Sequence, residues 1–187
     1  MLLIFLLLCY LINFTILYNL VEGIIALTVG IGENSTALLS FGLDSFIEIF
    51  ASSVALLGIS NTKKLNAETA EKYIAYSFLF LIFFILAKSS YDLLNSKLNE
   101  ITYIGVIIGV VSIFVEGPLA YKKFKLGRKL NNDLIIAEAK ETLFCLNLSV
   151  LVIIGVGVNY LFDIWYFDPV AALFMIPWLY KEFKEHK

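Results

Sequence analysis

The stretch NSTALLSFGLDSFIEIFASSVAL (residues 34–56) is long and apolar enough to cross a lipid bilayer, yet it carries two acidic residues. A spanning helix needs about 20 mostly apolar residues, and an ionisable residue inside one costs about 2.5–3.5 kcal/mol on insertion scales. The polar residues recur every four positions and therefore share one helix face: Ser40, Asp44, Glu48 and Ser52. We predict that Asp44 and Glu48 face the interior of a helical bundle and have a function there.

The rest of the chain has the same apolar character. Of its 187 residues, 60% are hydrophobic and 16% charged, with a mean hydropathy of +0.86. Soluble domains are about 45–50% apolar and about 25% charged. We predict an all-α polytopic membrane protein, a bundle of six transmembrane helices in a single domain (1–187), with spans near 8–31, 36–58, 73–95, 101–121, 134–158 and 165–181. Only six residues follow the last predicted span, so no soluble domain is expected.

Basic residues predict the orientation of these helices. They concentrate in two connections and in the C-terminal segment: Lys63, Lys64, Lys72, Lys122, Lys123, Lys125, Arg128, Lys129, Lys181, Lys184 and Lys187. The opposite side carries only Lys97. The positive-inside rule therefore predicts cytoplasmic N- and C-termini, which agrees with six spans, and we expect the plasma (cell inner) membrane. The net charge of -2 gives no indication of nucleic-acid binding.

The fifth predicted span carries a second polar face, made of Glu138, Glu141, Cys145 and Ser149. Helix rise and bilayer thickness place Asp44 and Cys145 both about 16 Å from the cytoplasmic edge. The same reasoning places Glu48 and Glu141 both about 10 Å from it. The matching depths predict a four-ligand metal site made of Asp44, Glu48, Glu141 and Cys145. Without a cation, repulsion between the acids favours bound protons, so metal and protons would bind in alternation.

Other polar residues are accessory candidates for the same cavity: Glu138, Glu22, Asn19, Ser40 and Ser45. For Glu138 the alternative is an interfacial charge that pairs with Lys129 or Lys140. A lone Cys in an apolar helix is commonly a small buried hydrophobe, and that interpretation stays open for Cys145.

Three further charged residues in the predicted spans can be explained by their neighbours in the sequence. Lys88 and Asp92 are four residues apart, which predicts an internal ion pair. Glu116 precedes Gly117-Pro118, where a helix should kink or end, so we interpret it as interfacial. Whether Lys88, Asp92 or Glu116 takes part in proton coupling is left open. His186, the sole histidine, is expected to be solvated.

Two blocks of the chain resemble the cation diffusion facilitator family of divalent metal exporters: residues 34–56 and AEAKETLFCLNLSVLVIIGV…FDPVAALFMI within 137–176. The acid-x-x-x-acid pair of that family falls on Asp44 and Glu48. Its His-x-x-x-Asp pair falls on Glu141 and Cys145, and its Asp-Pro on Asp168-Pro169. The resemblance, closest to a small branch without the C-terminal cytoplasmic domain, implies proton-coupled metal efflux by alternating access from a homodimer.

The replacement of His and Asp by Glu141 and Cys145 leaves the metal open. Three carboxylates and one thiolate suit tetrahedral Zn²⁺, with Cd²⁺, Co²⁺, Fe²⁺ and Mn²⁺ as alternatives. The predicted partners are the metal ion, protons, the bilayer and a second copy of the chain, with no prosthetic group and no nucleic acid. The alternative functions are a non-transporting membrane scaffold with a structural metal site and, with less support, a channel. An enzyme is disfavoured because no Ser/His/Asp set, HExxH or phosphate-binding glycine loop occurs.

Overall fold

The computed structural model describes residues 2–60, 67–95 and 102–185, which form six α-helices and no strand. In chain order the helices are α1 (Leu2–Gly32), α2 (Thr36–Ser60), α3 (Ala67–Asn95), α4 (Ile104–Leu130), α5 (Asp133–Phe162) and α6 (Phe167–Glu185). The predicted all-α fold is confirmed. Some residues used above lie outside the described residues: Lys63, Lys64 and Lys97, which bear on orientation, together with His186 and Lys187.

Five of the described helices are long and apolar enough to cross a membrane, judged by length and composition. Their spanning segments are Leu6–Gly32, Thr36–Leu57, Lys72–Asn95, Ile104–Leu130 and Ile135–Phe162. The helix α6 has 19 residues, with Asp168 in its first turn and Lys184 in its last, and is not among these five. The chain is therefore a polytopic α-helical membrane protein.

The helices α2 and α5 lie at the centre of the bundle. α2 packs against α1, α3, α5 and α6, and α5 packs against α2, α4 and α6. Phe41 of α2 and Phe144 and Leu148 of α5 belong to the main buried core. Large apolar side chains on the outer helices are exposed, among them Phe83 of α3 and Phe114 of α4, as expected for lipid-facing surfaces. Polar side chains between α2 and α5 are therefore held away from both lipid and water.

Short connections join the helices through left-handed caps. Asn34 and Asn131 have positive φ angles of 53° and 49°. Beside Asn34, the Ser35 amide donates to the carbonyl of Gly30, and beside Asn131 the Asn132 amide donates to the carbonyl of Gly127. This pattern closes α1 and α4 with Schellman caps, for which Asn is one of the suitable residues. The caps make α1–α2 and α4–α5 tight antiparallel pairs.

The helix α4 does not end at Pro118, one of the two outcomes expected from the sequence, but continues to Leu130. Proline removes one backbone hydrogen bond, a loss that neighbouring helices make tolerable in membrane helices. One face of α4 is buried along its whole length, made of Gly105, Gly109, Ser112, Glu116, Leu119, Ala120, Lys123 and Gly127. At Gly109 an added Cβ would lie 2.7 Å from Ile153 and 3.0 Å from the Ser149 carbonyl oxygen, so only glycine lets α4 approach α5 this closely. The basic stretch YKKFKLGRKL (residues 121–130), which was expected to form a connection, is therefore the last part of α4.

A buried polar network fixes the N-terminal end of α2. Asp168 of α6 accepts hydrogen bonds from the Ser35 hydroxyl (2.5 Å) and the Thr36 amide (2.7 Å). The Thr36 hydroxyl donates to Asp92 of α3 (2.7 Å), which also pairs with Lys88 at 2.5 Å. The predicted ion pair between Lys88 and Asp92 is confirmed. The network joins α2, α3 and α6 about 12 Å along α2 from Asp44, so these charges belong to the scaffold that positions the central helix.

Candidate metal centre

The two acidic residues of α2 that were predicted as ligands are buried, because α2 is the most enclosed of the five spanning helices. Asp44 and Glu48 are 2% and 3% exposed. Their four-residue spacing was the only sequence feature that placed them on one helix face. Ser45 and Ser52 are fully buried beside them. Two carboxylates one turn apart, held out of water, form the start of a cation-binding surface.

The fifth helix brings its own polar face against these acids. Glu141 is 4% exposed and Cys145 is fully buried. Asp44 lies beside Cys145 and within electrostatic range of Glu48 and Glu141. The four residues predicted as ligands therefore lie on the facing sides of α2 and α5, but among the described residues their ligand atoms do not form a group within 4.8 Å of one another. Carboxylate and thiolate are both ligands of borderline metals such as zinc.

Glu48 is the acid of this group whose orientation is best defined. The Thr142 hydroxyl, on α5, donates to Glu48 Oε1 at 2.6 Å. Glu48 Oε2 is buried and has no hydrogen-bond partner within the described part of the chain. The carboxylate is therefore held by one oxygen, and the other is left for a cation or a proton.

Glu138 lies in a buried ion pair with Lys123. The alternative, that Glu138 is an interfacial charge paired with Lys129 or Lys140, was wrong. Lys123 Nζ, fully buried, lies 2.5 Å from Glu138 Oε1 and 2.8 Å from the Thr142 hydroxyl oxygen. The Ser52 hydroxyl also donates to Glu138 at 2.9 Å. The reason is that α4 continues past Pro118 and returns antiparallel into α5, which places Lys123 opposite Glu138. Lys140 instead pairs with Glu185 at 3.4 Å, on the exposed surface.

Cys145 also belongs to a group of side chains that are close enough together to hold a metal ion. One carboxylate oxygen of Glu22, one of Glu116 and the Cys145 thiol all lie within 4.8 Å of one another, and all three residues are buried. Tyr18 donates to Glu22 Oε1 at 2.7 Å, and Ser45 donates to Glu22 Oε2 at 3.5 Å. Glu22 was an accessory candidate. Glu116 was interpreted as interfacial, but it lies near the middle of the spanning segment Ile104–Leu130, and its side chain is fully buried.

The remaining accessory candidates are buried but point elsewhere. Ser40 donates to the Thr36 carbonyl at 2.7 Å, within its own helix. Asn19 donates to the Thr15 carbonyl at 3.2 Å, and its Oδ1 is buried without a partner among the described residues. Asn19 lies one turn before Glu22 on the inner face of α1, as Ser40 lies one turn before Asp44 on α2.

Glu33 is a buried acid outside the spanning segments. It lies between α1 and α2, where burial raises its pKa above the ordinary value, while a hydrogen bond from the Thr102 hydroxyl opposes that rise. About 16 Å of α1 separates it from Glu22. Glu33 is therefore a matched control for charge-neutralising substitutions at the centre of the bundle.

Residues 73–181, more than half of the chain, match the family model of the cation efflux transmembrane domain. The chain belongs to the cation efflux family. An uncharacterized transporter of Methanocaldococcus jannaschii is similar to it, with 25% identity over 170 residues that cover 85% of this chain and 60% of the relative. The chain therefore spans less than two thirds of the length of that curated relative.

The matched region of this cation efflux protein begins in α3 and ends in α6, so it contains Glu116, Glu141 and Cys145. Asp44 and Glu48 lie before the matched region, on α2, which packs against α5. Sequence reasoning assigned Glu116 to the interface instead of the cluster, and it placed Lys123 among the basic residues of a connection instead of in the bundle. The available signal was the three- and four-residue spacing of the small and polar residues on α4, which continues across Pro118.

Proposed function

We propose that this cation efflux protein transports a divalent transition-metal ion, Zn²⁺ before Cd²⁺, Co²⁺, Fe²⁺ or Mn²⁺, in exchange for protons. The supporting observation is the set of buried acids and one thiol between α2 and α5, in helices that are long and apolar enough to cross a membrane. Each such charge costs about 2.5–3.5 kcal/mol to insert, so keeping several at one place indicates a ligand that compensates them. The family to which the chain belongs is consistent with a cation as that ligand.

The ion would be bound by side chains of both central helices. Asp44, Glu48 and Glu141 supply carboxylate oxygens, and Cys145 supplies a thiolate. Four such ligands suit the tetrahedral coordination of Zn²⁺, and the sulfur favours Zn²⁺ or Cd²⁺ over Mg²⁺ and Ca²⁺. Thr142 has a supporting role, because its hydrogen bond fixes which oxygen of Glu48 faces the ion.

Protons would replace the ion when it leaves. Carboxylates this close to one another, out of water, cannot all stay ionised without a cation. Their alternate occupancy by metal and by protons therefore couples the two fluxes. The basic residues predicted on the cytoplasmic side support only the orientation of the helices. Efflux by alternating access from a homodimer is what the family resemblance implies, and we propose the plasma membrane as its location.

Metal flux into proteoliposomes tests this function. Purified protein is reconstituted, a proton gradient is imposed, and entry of Zn²⁺, Cd²⁺, Co²⁺, Fe²⁺ and Mn²⁺ is followed with a trapped fluorescent indicator. We expect Zn²⁺ and Cd²⁺ to be driven by the gradient, with proton movement in the opposite direction reported by a trapped pH dye. Protein-free vesicles and vesicles whose gradient has been collapsed by an ionophore are the controls.

The outcomes separate the proposed function from its alternatives. Metal entry that is unchanged when the proton gradient is collapsed would contradict exchange. Metal binding and thermal stabilisation without entry of any of the five ions would favour a membrane scaffold with a structural metal site.

A further inference from the structure

Glu116 is a buried acid beside Glu22 and Cys145, and no basic residue of the described part of the chain forms an ion pair with it. Its side chain is fully buried, and neither carboxylate oxygen has a hydrogen-bond partner among the residues that the structure describes. Other buried acids are compensated: Glu138 by Lys123, Asp92 by Lys88, and Asp168 by Ser35 and Thr36. An uncompensated buried carboxylate is strongly unfavourable, so Glu116 is expected to meet a cation or hold a proton.

The surroundings of Glu116 are those of a metal ligand. An oxygen of Glu22 and the thiol of Cys145 lie within 4.8 Å of it and of each other, a separation that a single metal ion can bridge. Tyr18 donates to Glu22 and so fixes its carboxylate, as partners of metal-binding carboxylates do. Glu22 also lines a crevice of about 310 Å³ between α1 and α4, which borders the cluster.

The charges of the core leave room for more than one divalent ion. Four carboxylates lie around Cys145, from Glu22, Asp44, Glu48 and Glu116, and a fifth, from Glu141, lies near Asp44. The nearest buried cation, Lys123, already pairs with Glu138. Five carboxylates and a thiolate carry six negative charges, so two divalent ions, with four positive charges, need no further negative ligand, and protons can balance the remaining two charges.

We propose that Glu22, Glu116 and Cys145, from α1, α4 and α5, form a second divalent-cation position that shares the Cys145 thiolate with the position between α2 and α5. Only the sharing of Cys145 rests on the proposed function. Two carboxylates and one thiolate select a borderline ion such as Zn²⁺ or Cd²⁺ over Ca²⁺ or Mg²⁺. Three protein ligands leave a fourth coordination place for water, as in exchangeable zinc sites.

The test is the stoichiometry of Cd²⁺ binding to the purified full chain, measured by equilibrium dialysis and by the ultraviolet charge-transfer band of Cd²⁺–thiolate. We expect the wild type to bind two Cd²⁺ ions. Glu116→Gln, which keeps shape and removes charge, should weaken the second binding step by about tenfold or more and leave the first nearly unchanged. Glu22→Gln should act in the same way, and Glu33→Gln, the matched buried acid outside the cluster, should bind like the wild type.

The outcomes distinguish this proposal from the proposed function. Equal Cd²⁺ binding by the wild type, Glu116→Gln and Glu22→Gln would overturn the second position, whatever the flux. Asp44→Asn should instead remove the other binding step. If Asp44→Asn left metal flux intact while Glu116→Gln still lost one ion, the transport proposal would fail and the second position would stand.

Discussion

Replacing Lys123 with methionine is expected to lower the free energy of unfolding by about 3–5 kcal/mol, because Glu138 is left as a buried charge without a cation beside it. Lys123 is fully buried and lies 2.5 Å from Glu138. Methionine retains most of the side-chain volume, so the loss reports the charge and not a cavity. Reversible unfolding of the detergent-solubilised protein by a denaturing detergent measures the change.

Two comparisons make this expectation specific. Lys140→Met breaks the exposed pair with Glu185 and should change stability by at most about 1 kcal/mol. The double substitution Lys123→Met with Glu138→Gln should recover most of the stability, since no unpaired charge remains. A Lys123→Met protein as stable as the wild type, or a double variant as unstable as the single one, would contradict the buried pair.

Asp44→Asn is expected to have the largest effect on activity. The substitution keeps the size of the side chain but removes the charge that binds the ion between α2 and α5. Loss of a residue that only hydrogen-bonds a metal ligand lowers metal affinity or activity by about 10- to 100-fold. Loss of a ligand itself should therefore reduce metal flux by about 100-fold or more. The measurement is initial metal flux in proteoliposomes at fixed protein density.

The matched control is Glu33→Gln, which also neutralises a buried acid but lies at the α1–α2 connection. It should retain flux within about twofold, since it lies about 16 Å along α1 from the cluster. Full flux in Asp44→Asn, or an equal loss in both variants, would remove Asp44 from the metal site.

Much of the fold was predictable because its determinants are local. Apolar blocks of bilayer length predict the helices, and four-residue spacing predicts both the Asp44–Glu48 face and the Lys88–Asp92 ion pair. The pairing of α2 with α5 followed from helix rise and direction, which place Asp44 and Cys145 at equal depth. Each of these predictions requires only the sequence of a single helix or the thickness of the bilayer.

The parts that were missed depend on the contact of α4 with its neighbours. Proline has a strong local effect, and the sequence alone does not reveal that α4 continues past Pro118 against α5. Once it does, Glu116 and Lys123 fall on the buried face, where one joins Glu22 and Cys145 and the other pairs with Glu138. Rotation of a helix about its axis is set by tertiary packing, such as the close approach at Gly109, and not by a local pattern.

The most direct measurement of the central claim is anomalous X-ray diffraction from crystals of the protein loaded with Cd²⁺. We predict a strong anomalous peak between α2 and α5, within coordination distance of Asp44, Glu48, Glu141 and Cys145. The peak should vanish in crystals of Asp44→Asn and persist in those of Glu33→Gln. Anomalous peaks confined to the surface, with none between α2 and α5, would contradict a metal site formed by these four residues.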